Sequence, residues 1–136
     1  MLFKTLGGGK KRIRKIRSYT IDWDSPSLSK RQFSVKKFLE KHWSKQVVFE
    51  ELPVAGTKMS IDFYNATKKI AIEVQGAQHT KYIPYFHNGQ KVNFLHQLRR
   101  DKQKKEYCKI NGIKLVEIHD KDELNSNLVK KLNIRE

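Results

Sequence analysis

Apolar residues recur along this chain with two periods, and each change of period marks a new element. After Ser29, Val35, Phe38, Leu39 and His42 fall on one stripe at helical spacing, and Gln32 extends that stripe toward the N-terminus. Ser29 and Gln32 have capping-box spacing, which starts a helix that runs to about Trp43. Gln32 either completes that cap or points to the core or a cleft; His42 reads as a packing residue. Three β-rich runs follow. Gln46–Leu52 is stopped by Pro53, and Met59–Tyr64 is separated from Ile70–Gln75 by the polar turn Asn65-Ala-Thr-Lys-Lys69.

Alternation then assigns faces. Ile61 and Phe63 share one side of their strand, while Ser60, Asp62 and Tyr64 share the other. In the next strand Ile70, Ile72 and Val74 oppose Ala71, Glu73 and Gln75. Paired as a hairpin, the two strands bring Asp62 to the face of Glu73 and Gln75.

A second helix is predicted from about Val92 to Ile110, ended by Asn111-Gly112. With Phe94 at zero on the helical wheel, Leu98, Asp101, Lys105 and Cys108 lie within about 40° of it, and Lys104 about 80° away beside Gln97. Asp101 and Lys105 therefore intrude on an apolar face, either paired to each other at i,i+4 or turned to a site. Lys114–Ile118 reads as a further strand. The tail from Asp120 carries Leu124, Leu128, Val129 and Leu132 at helical spacing and covers the sheet. This order of elements predicts an α/β sandwich around a mixed central sheet of about four strands flanked by helices.

Composition adds a partner. The chain has 136 residues, 38% of them hydrophobic, which is the size of one domain and too apolar for a wholly disordered basic protein. Twenty-nine Lys and Arg against fourteen Asp and Glu give a net charge of +15, so the natural polyanionic partner is nucleic acid, bound in a salt-sensitive way. The lone Cys108 cannot form an intramolecular disulfide, no apolar run approaches the roughly 20 residues that cross a bilayer, and no signal-peptide pattern is present. A soluble, cytoplasmic, unsecreted protein without a membrane partner is expected. Residues 1–24 read as a flexible basic arm, with a glycine hinge before Lys10, Lys11, Arg12, Arg14, Lys15 and Arg17; residues 25–136 form the domain.

Two further segments bear on nucleic acid. The stretch from Gln78 to Val92 interleaves aromatics with His79, His87, Lys81 and Lys91, so Tyr82 and its neighbours either stack on bases or cap the core. Arg99 and Arg100 point away from the apolar stripe, as phosphate contacts or solvated charges.

The carboxylates add chemistry. Asp62 and Glu73 on adjacent strands outline a site for Mg²⁺, with Mn²⁺ as a substitute, unless they are solvated acids on an exposed hairpin. Mg²⁺ takes oxygen ligands at roughly 2.0–2.1 Å and keeps several waters, so one or two carboxylates plus a substrate phosphate suffice. A metal-bound water can then attack a phosphodiester. Gln75 can orient water but cannot supply positive charge.

Four motifs together resemble the PD-(D/E)XK nuclease superfamily, in the compact branch of very-short-patch repair endonucleases and phage-encoded homing-type enzymes. They are Ser60-Ile-Asp-Phe63, Ile72-Glu-Val-Gln-Gly76 with His79 after it, Arg100-Asp-Lys-Gln-Lys104, and Asn111-Gly-Ile-Lys-Leu-Val-Glu-Ile118. The resemblance covers roughly residues 29–132. It implies a restriction-endonuclease-like fold and a metal-dependent DNA endonuclease of a bacterial or phage-infected cytoplasm, acting in repair, recombination or homing. It implies Asp62, Glu73 and the Val74 carbonyl as metal ligands, with Gln75 where a catalytic lysine usually stands. Lys104 or Lys105 would supply the missing cation, His79 or Asp101 would support the site, and Gln32 stands where many relatives place a Glu. A homodimer would suit double-strand cleavage. Gln75 and Gln32 leave open a nucleic-acid-binding protein of the same fold that cuts weakly or not at all.

Overall fold

The computed structural model describes residues 1–75, 91–119 and 122–132. Its centre is a four-stranded sheet built from β3 (Val48–Pro53), β4 (Ser60–Asn65), β5 (Ile70–Gln75) and β6 (Lys114–His119), in that order. The first three strands form an antiparallel meander, and β6 runs parallel to β5 after a crossover through α2 (Lys91–Ile110). With α1 (Lys30–Trp43) and α3 (Ser126–Lys131) added, this is the α/β sandwich with a mixed sheet that the residue pattern predicts. No helix among the described residues is long and apolar enough to cross a membrane.

Side-chain alternation sorts the sheet into two cores. Phe63, Ile70, Ile72, Val116 and Ile118 pack against Val35, Leu39 and Trp43 of α1 and Leu128 of α3. Tyr64 and Ala71, one residue out of phase, face Tyr107 and Cys108 of α2. The Ser29 half of the α1 cap forms, its hydroxyl accepting from the Gln32 N–H at 3.0 Å, while the Gln32 side chain turns to Glu50 and Glu51 instead of reaching back to Ser29. His42 packs edge-on against Phe38, 5.3 Å between ring centroids.

The N-terminal segment differs from the expected flexible arm. Leu2–Lys4 (β1) and Lys10–Arg12 (β2) form an antiparallel hairpin, and Ile16–Tyr19 is a 3₁₀ turn. Phe3 and Ile13 are buried, with the Phe3 ring 6.1 Å from that of Tyr64 and 5.9 Å from that of Tyr107. Asn111 clamps the hairpin to the end of α2, accepting from the Lys4 N–H at 2.8 Å and donating to the Lys4 carbonyl at 2.9 Å. Two apolar anchors in a cationic run are enough to dock it, because each buries a large side chain. The cations Lys10, Lys11, Arg12, Arg14, Lys15 and Arg17 stay exposed on a held scaffold.

The apolar stripe expected on α2 is also corrected. Tyr107 and Cys108 are buried, but Leu98 is 41% exposed and Lys105 points outward. The buried residues of the C-terminal part of the helix, Tyr107 and Cys108, pack on the sheet against the Tyr64 and Ala71 layer.

Candidate active site

β4 and β5 pair through Phe63–Ile72, Tyr64–Ala71 and Asn65–Ile70, and the same register continued by one residue sets Asp62 opposite Glu73. There the ladder changes hands. The Asp62 N–H donates to Glu73 Oε2 at 2.9 Å, and the Val74 N–H donates to Asp62 Oδ2 at 2.8 Å. Each carboxylate thus satisfies a backbone donor of the opposing strand, which fixes both side chains at the rung where backbone pairing stops.

The rung extends across the sheet. In β3, Glu50 pairs with Phe63 and Leu52 with Ile61, so Glu51 lies opposite Asp62; in β6, Glu117 pairs with Glu73. Four acids, Glu51, Asp62, Glu73 and Glu117, therefore stand at one level on four adjacent strands. Like charges directly opposite each other destabilise a sheet, so the surroundings must compensate.

They do so unequally. Glu117 is met by Lys105 at 3.3 Å and by His119 Nε2 at 3.8 Å. Glu51 has a left-handed backbone, φ 54°, and its carboxylate accepts from the Gln32 amide at 2.9 Å and the Ser60 hydroxyl at 3.0 Å. Glu73 Oε1 is in direct contact with the Lys104 ammonium. Asp62 has no cation of its own among the described residues. Burial, then the repulsion of Glu73, pushes its carboxyl up to about 8, against the opposing pull of the Val74 N–H; Glu51 adds to the rise and Lys104 offsets part of it.

Cys108 follows Lys104 by one helical turn and is buried; desolvation first, and then Glu73, pushes its thiol up to about 12, so it is an inert packing residue. On the other side, Gln75 is buried and lines a cavity of about 220 Å³ with Leu98, Asp101, Lys102, Lys105, Glu117 and His119.

Of the residues expected from sequence, Asp62, Glu73 and Lys104 come together, with Gln75 one strand position beyond Val74. Lys105 forms its ion pair with Glu117, so the structure gives it a partner other than Asp101. Gln32 is buried against Glu50 and Glu51, as a donor and not as an acid. Arg99 and Arg100 are exposed on α2. Lys91 begins α2. His79, Lys81 and Tyr82 lie outside the described residues.

Sequence reasoning missed Glu51, Glu117 and Lys36. Parity along β6 could have found Glu117, which shares its face with Leu115 and His119. Lys36 is fully buried, with its ammonium on Glu50 at 2.7 Å and on the Asp22 and Ser25 carbonyls at 3.0 and 2.9 Å. A lysine one position off an apolar helical stripe carries no signal of that burial.

Whether these residues suit a divalent metal turns on their donors. Carboxylate and carbonyl oxygens match the hard-cation chemistry of Mg²⁺. Yet among the described residues no three acidic, histidine or cysteine side chains are grouped to hold a metal ion by themselves. Asp62 and Glu73 fit as a two-carboxylate site that needs further oxygens from backbone, water and a phosphate.

No protein-family model matches the chain, and no solved structure matches it. It is similar to viral proteins over part of its length. "Uncharacterized protein 094L" of Frog virus 3 (isolate Goorha) is 39% identical over 66 residues, 48% of this chain and 43% of that protein. "Uncharacterized protein 307L" of Invertebrate iridescent virus 6 is 38% identical over 60 residues, 44% of this chain and 30% of that protein. "Uncharacterized protein 033L" of Invertebrate iridescent virus 3 is 32% identical over 66 residues, 48% of this chain and 34% of that protein. The chain spans less than half the length of these curated relatives.

Proposed function

We propose that the chain is a metal-dependent DNA endonuclease of the PD-(D/E)XK type, hydrolysing phosphodiester bonds with Mg²⁺ or Mn²⁺. The observation that carries this reading is the meeting of Asp62 and Glu73 on adjacent strands with the ammonium of Lys104 from α2. Acid, acid and cation converge although the strand position expected to hold lysine is Gln75. The viral relatives favour a virus-encoded setting.

In this reading Asp62, Glu73 and the Val74 carbonyl would hold the metal, which would supply an activated water and charge neutralisation at the phosphate. Lys104 stabilises negative charge on the phosphoryl oxygens as it builds up. Gln75, at the cavity wall, orients water. Asp101, on the same cavity, and His79 support the site. The exposed cations of the hairpin, together with Arg99 and Arg100, hold the DNA backbone without reading its sequence.

Incubation of purified protein with supercoiled plasmid and Mg²⁺ or Mn²⁺ is expected to give nicked and linear products, and chelation to stop the reaction. Asp62→Ala and Glu73→Ala are each expected to abolish it. Undiminished cutting by either variant would refute the reading.

A second reading is a DNA-binding protein of the same fold with little or no catalysis. The occupation of Glu73 by Lys104 favours it, because a neutralised carboxylate is a weak metal ligand. It predicts tight, salt-sensitive DNA binding with no metal-dependent products.

A further inference from the structure

We propose that Lys104 is a counter-ion released by substrate: it neutralises Glu73 in the absence of nucleic acid, and an arriving phosphate draws it away so that Asp62 and Glu73 can take a divalent cation. The inference rests on the nuclease reading above and adds to it an order of binding.

The contacts define what can move. Glu73 has both oxygens engaged, Oε2 by the Asp62 N–H and Oε1 by Lys104. Asp62 has Oδ2 engaged by the Val74 N–H. The two N–H donors belong to the backbone of β4 and β5 and stay with the sheet. Lys104 alone sits on a flexible four-carbon stem, and its side chain is 18% exposed. A metal entering between Asp62 and Glu73 must therefore displace that ammonium.

Charge decides when it leaves. Glu51, Asp62 and Glu73 stand in line on three adjacent strands, and among the described residues Lys104 is the one ammonium in contact with Glu73. Moving a partly buried ammonium off its carboxylate toward water or toward other cations is unfavourable. Around it on α2 the exposed cations Arg99, Arg100, Lys102 and Lys105 outnumber the acids Asp101 and Glu106. A phosphate supplies an anion that accepts a charge-assisted hydrogen bond from Lys104. Gln75 is neutral and cannot take over the pairing with Glu73, so the freed carboxylate is left to the metal.

The test is Mn²⁺ binding measured by calorimetry or electron paramagnetic resonance, with and without a phosphorothioate duplex, which keeps the charge and resists cleavage. The wild type is expected to bind Mn²⁺ about tenfold or more tightly once the duplex is present. Lys104→Met is expected to bind Mn²⁺ tightly without the duplex and to retain about threefold coupling or less, while Lys105→Met keeps the wild-type coupling. Full coupling in Lys104→Met would overturn the switch and leave the nuclease reading standing. No Mn²⁺ binding by any of these proteins under either condition would overturn both. A measurement on the wild type needs no variant: duplex added without metal is expected to shift the Lys104 ammonium resonance away from its Glu73-bound position. An unchanged resonance with DNA bound would mark a static ion pair and sink the proposal.

Discussion

Under the N-terminal half of α1, Glu50 and Glu51 are surrounded by donors that folding holds in place; between β4 and β5, Asp62 and Glu73 share a single lysine. Glu50 accepts from Lys36 at 2.7 Å, from Ser27 at 2.7 Å and from Gln32 at 3.1 Å. Glu51 accepts from Gln32 and Ser60. Around these two acids the polar groups are mutually satisfied, and the network ties α1 and the segment before it to the edge strand β3. Asp62 and Glu73 instead lean on backbone N–H groups and on one ammonium, that of Lys104. The difference separates acids that build the fold from acids left available for chemistry.

The sharpest way to break the comparison is to strip the satisfied region. Lys36→Ala leaves Glu50 without its cation in a buried setting and is expected to cost about 3–5 kcal/mol, seen as a fall of about 10 °C or more in Tm. Lys36→Met combined with Glu50→Gln removes both charges at similar volume and is expected to recover about half of that loss or more. A Lys36→Ala protein as stable as wild type would mean that this network is not structural. A smaller effect is expected from Gln32→Glu, which replaces the donor shared by Glu50 and Glu51 with a third carboxylate. It is expected to lower stability by about 1–3 kcal/mol in urea titrations at neutral pH. An unchanged midpoint would show that the position tolerates an acid.

In the available region the sign reverses. Burial and the neighbouring Glu73 push the Asp62 carboxyl up to about 8 in the folded state, whereas an unfolded aspartic acid gives up its proton near the ordinary value of 3.8. The folded state binds more protons over that interval, so metal-free stability falls as pH rises through it and levels off above it. Asp62→Asn keeps an acceptor for the Val74 N–H, removes the charge beside Glu73, and is expected to stabilise the metal-free protein at pH 8 by about 1 kcal/mol or more. The gain should shrink toward pH 4. Thermal melts at both pH values check this, and a variant less stable than wild type at pH 8 would contradict the assignment of Asp62 as the strained acid.

The two regions also differ in how much of them the residue pattern betrays. Asp62, Glu73 and Gln75 are legible because strand parity needs only a few consecutive residues, and Lys104 because a helical wheel places it beside the cleft. Glu51 is not legible that way. Its place depends on the register between β3 and β4 and on a left-handed φ, both set by tertiary packing. Lys36 looks like an exposed helix lysine until the Asp22–Ser25 segment folds over it. The N-terminal hairpin was hidden for a related reason: Phe3 and Ile13 are isolated apolar residues among cations, and residues distant in sequence, among them Tyr64, Tyr107 and Asn111, give the hairpin something to dock on.

The smallest expected effect tests the comparison at its edge. Lys104 and Lys105 are adjacent, and each pairs with an acid on the same rung, but the Lys105 side chain is 61% exposed against 18% for Lys104. An exposed pair at 3.3 Å is screened by water and salt and must order a long side chain, so Lys105→Ala is expected to change stability by less than about 0.5 kcal/mol. Lys104→Met uncovers a buried carboxylate and is expected to cost more than about 1 kcal/mol in the absence of metal. Urea midpoints for both variants at low and at molar salt make the contrast measurable, since only the Lys105 pair should vanish on screening. Equal losses for the two would mean that burial does not set the value of an ion pair on this rung, and the division between acids that build the fold and acids left for chemistry would fail with it.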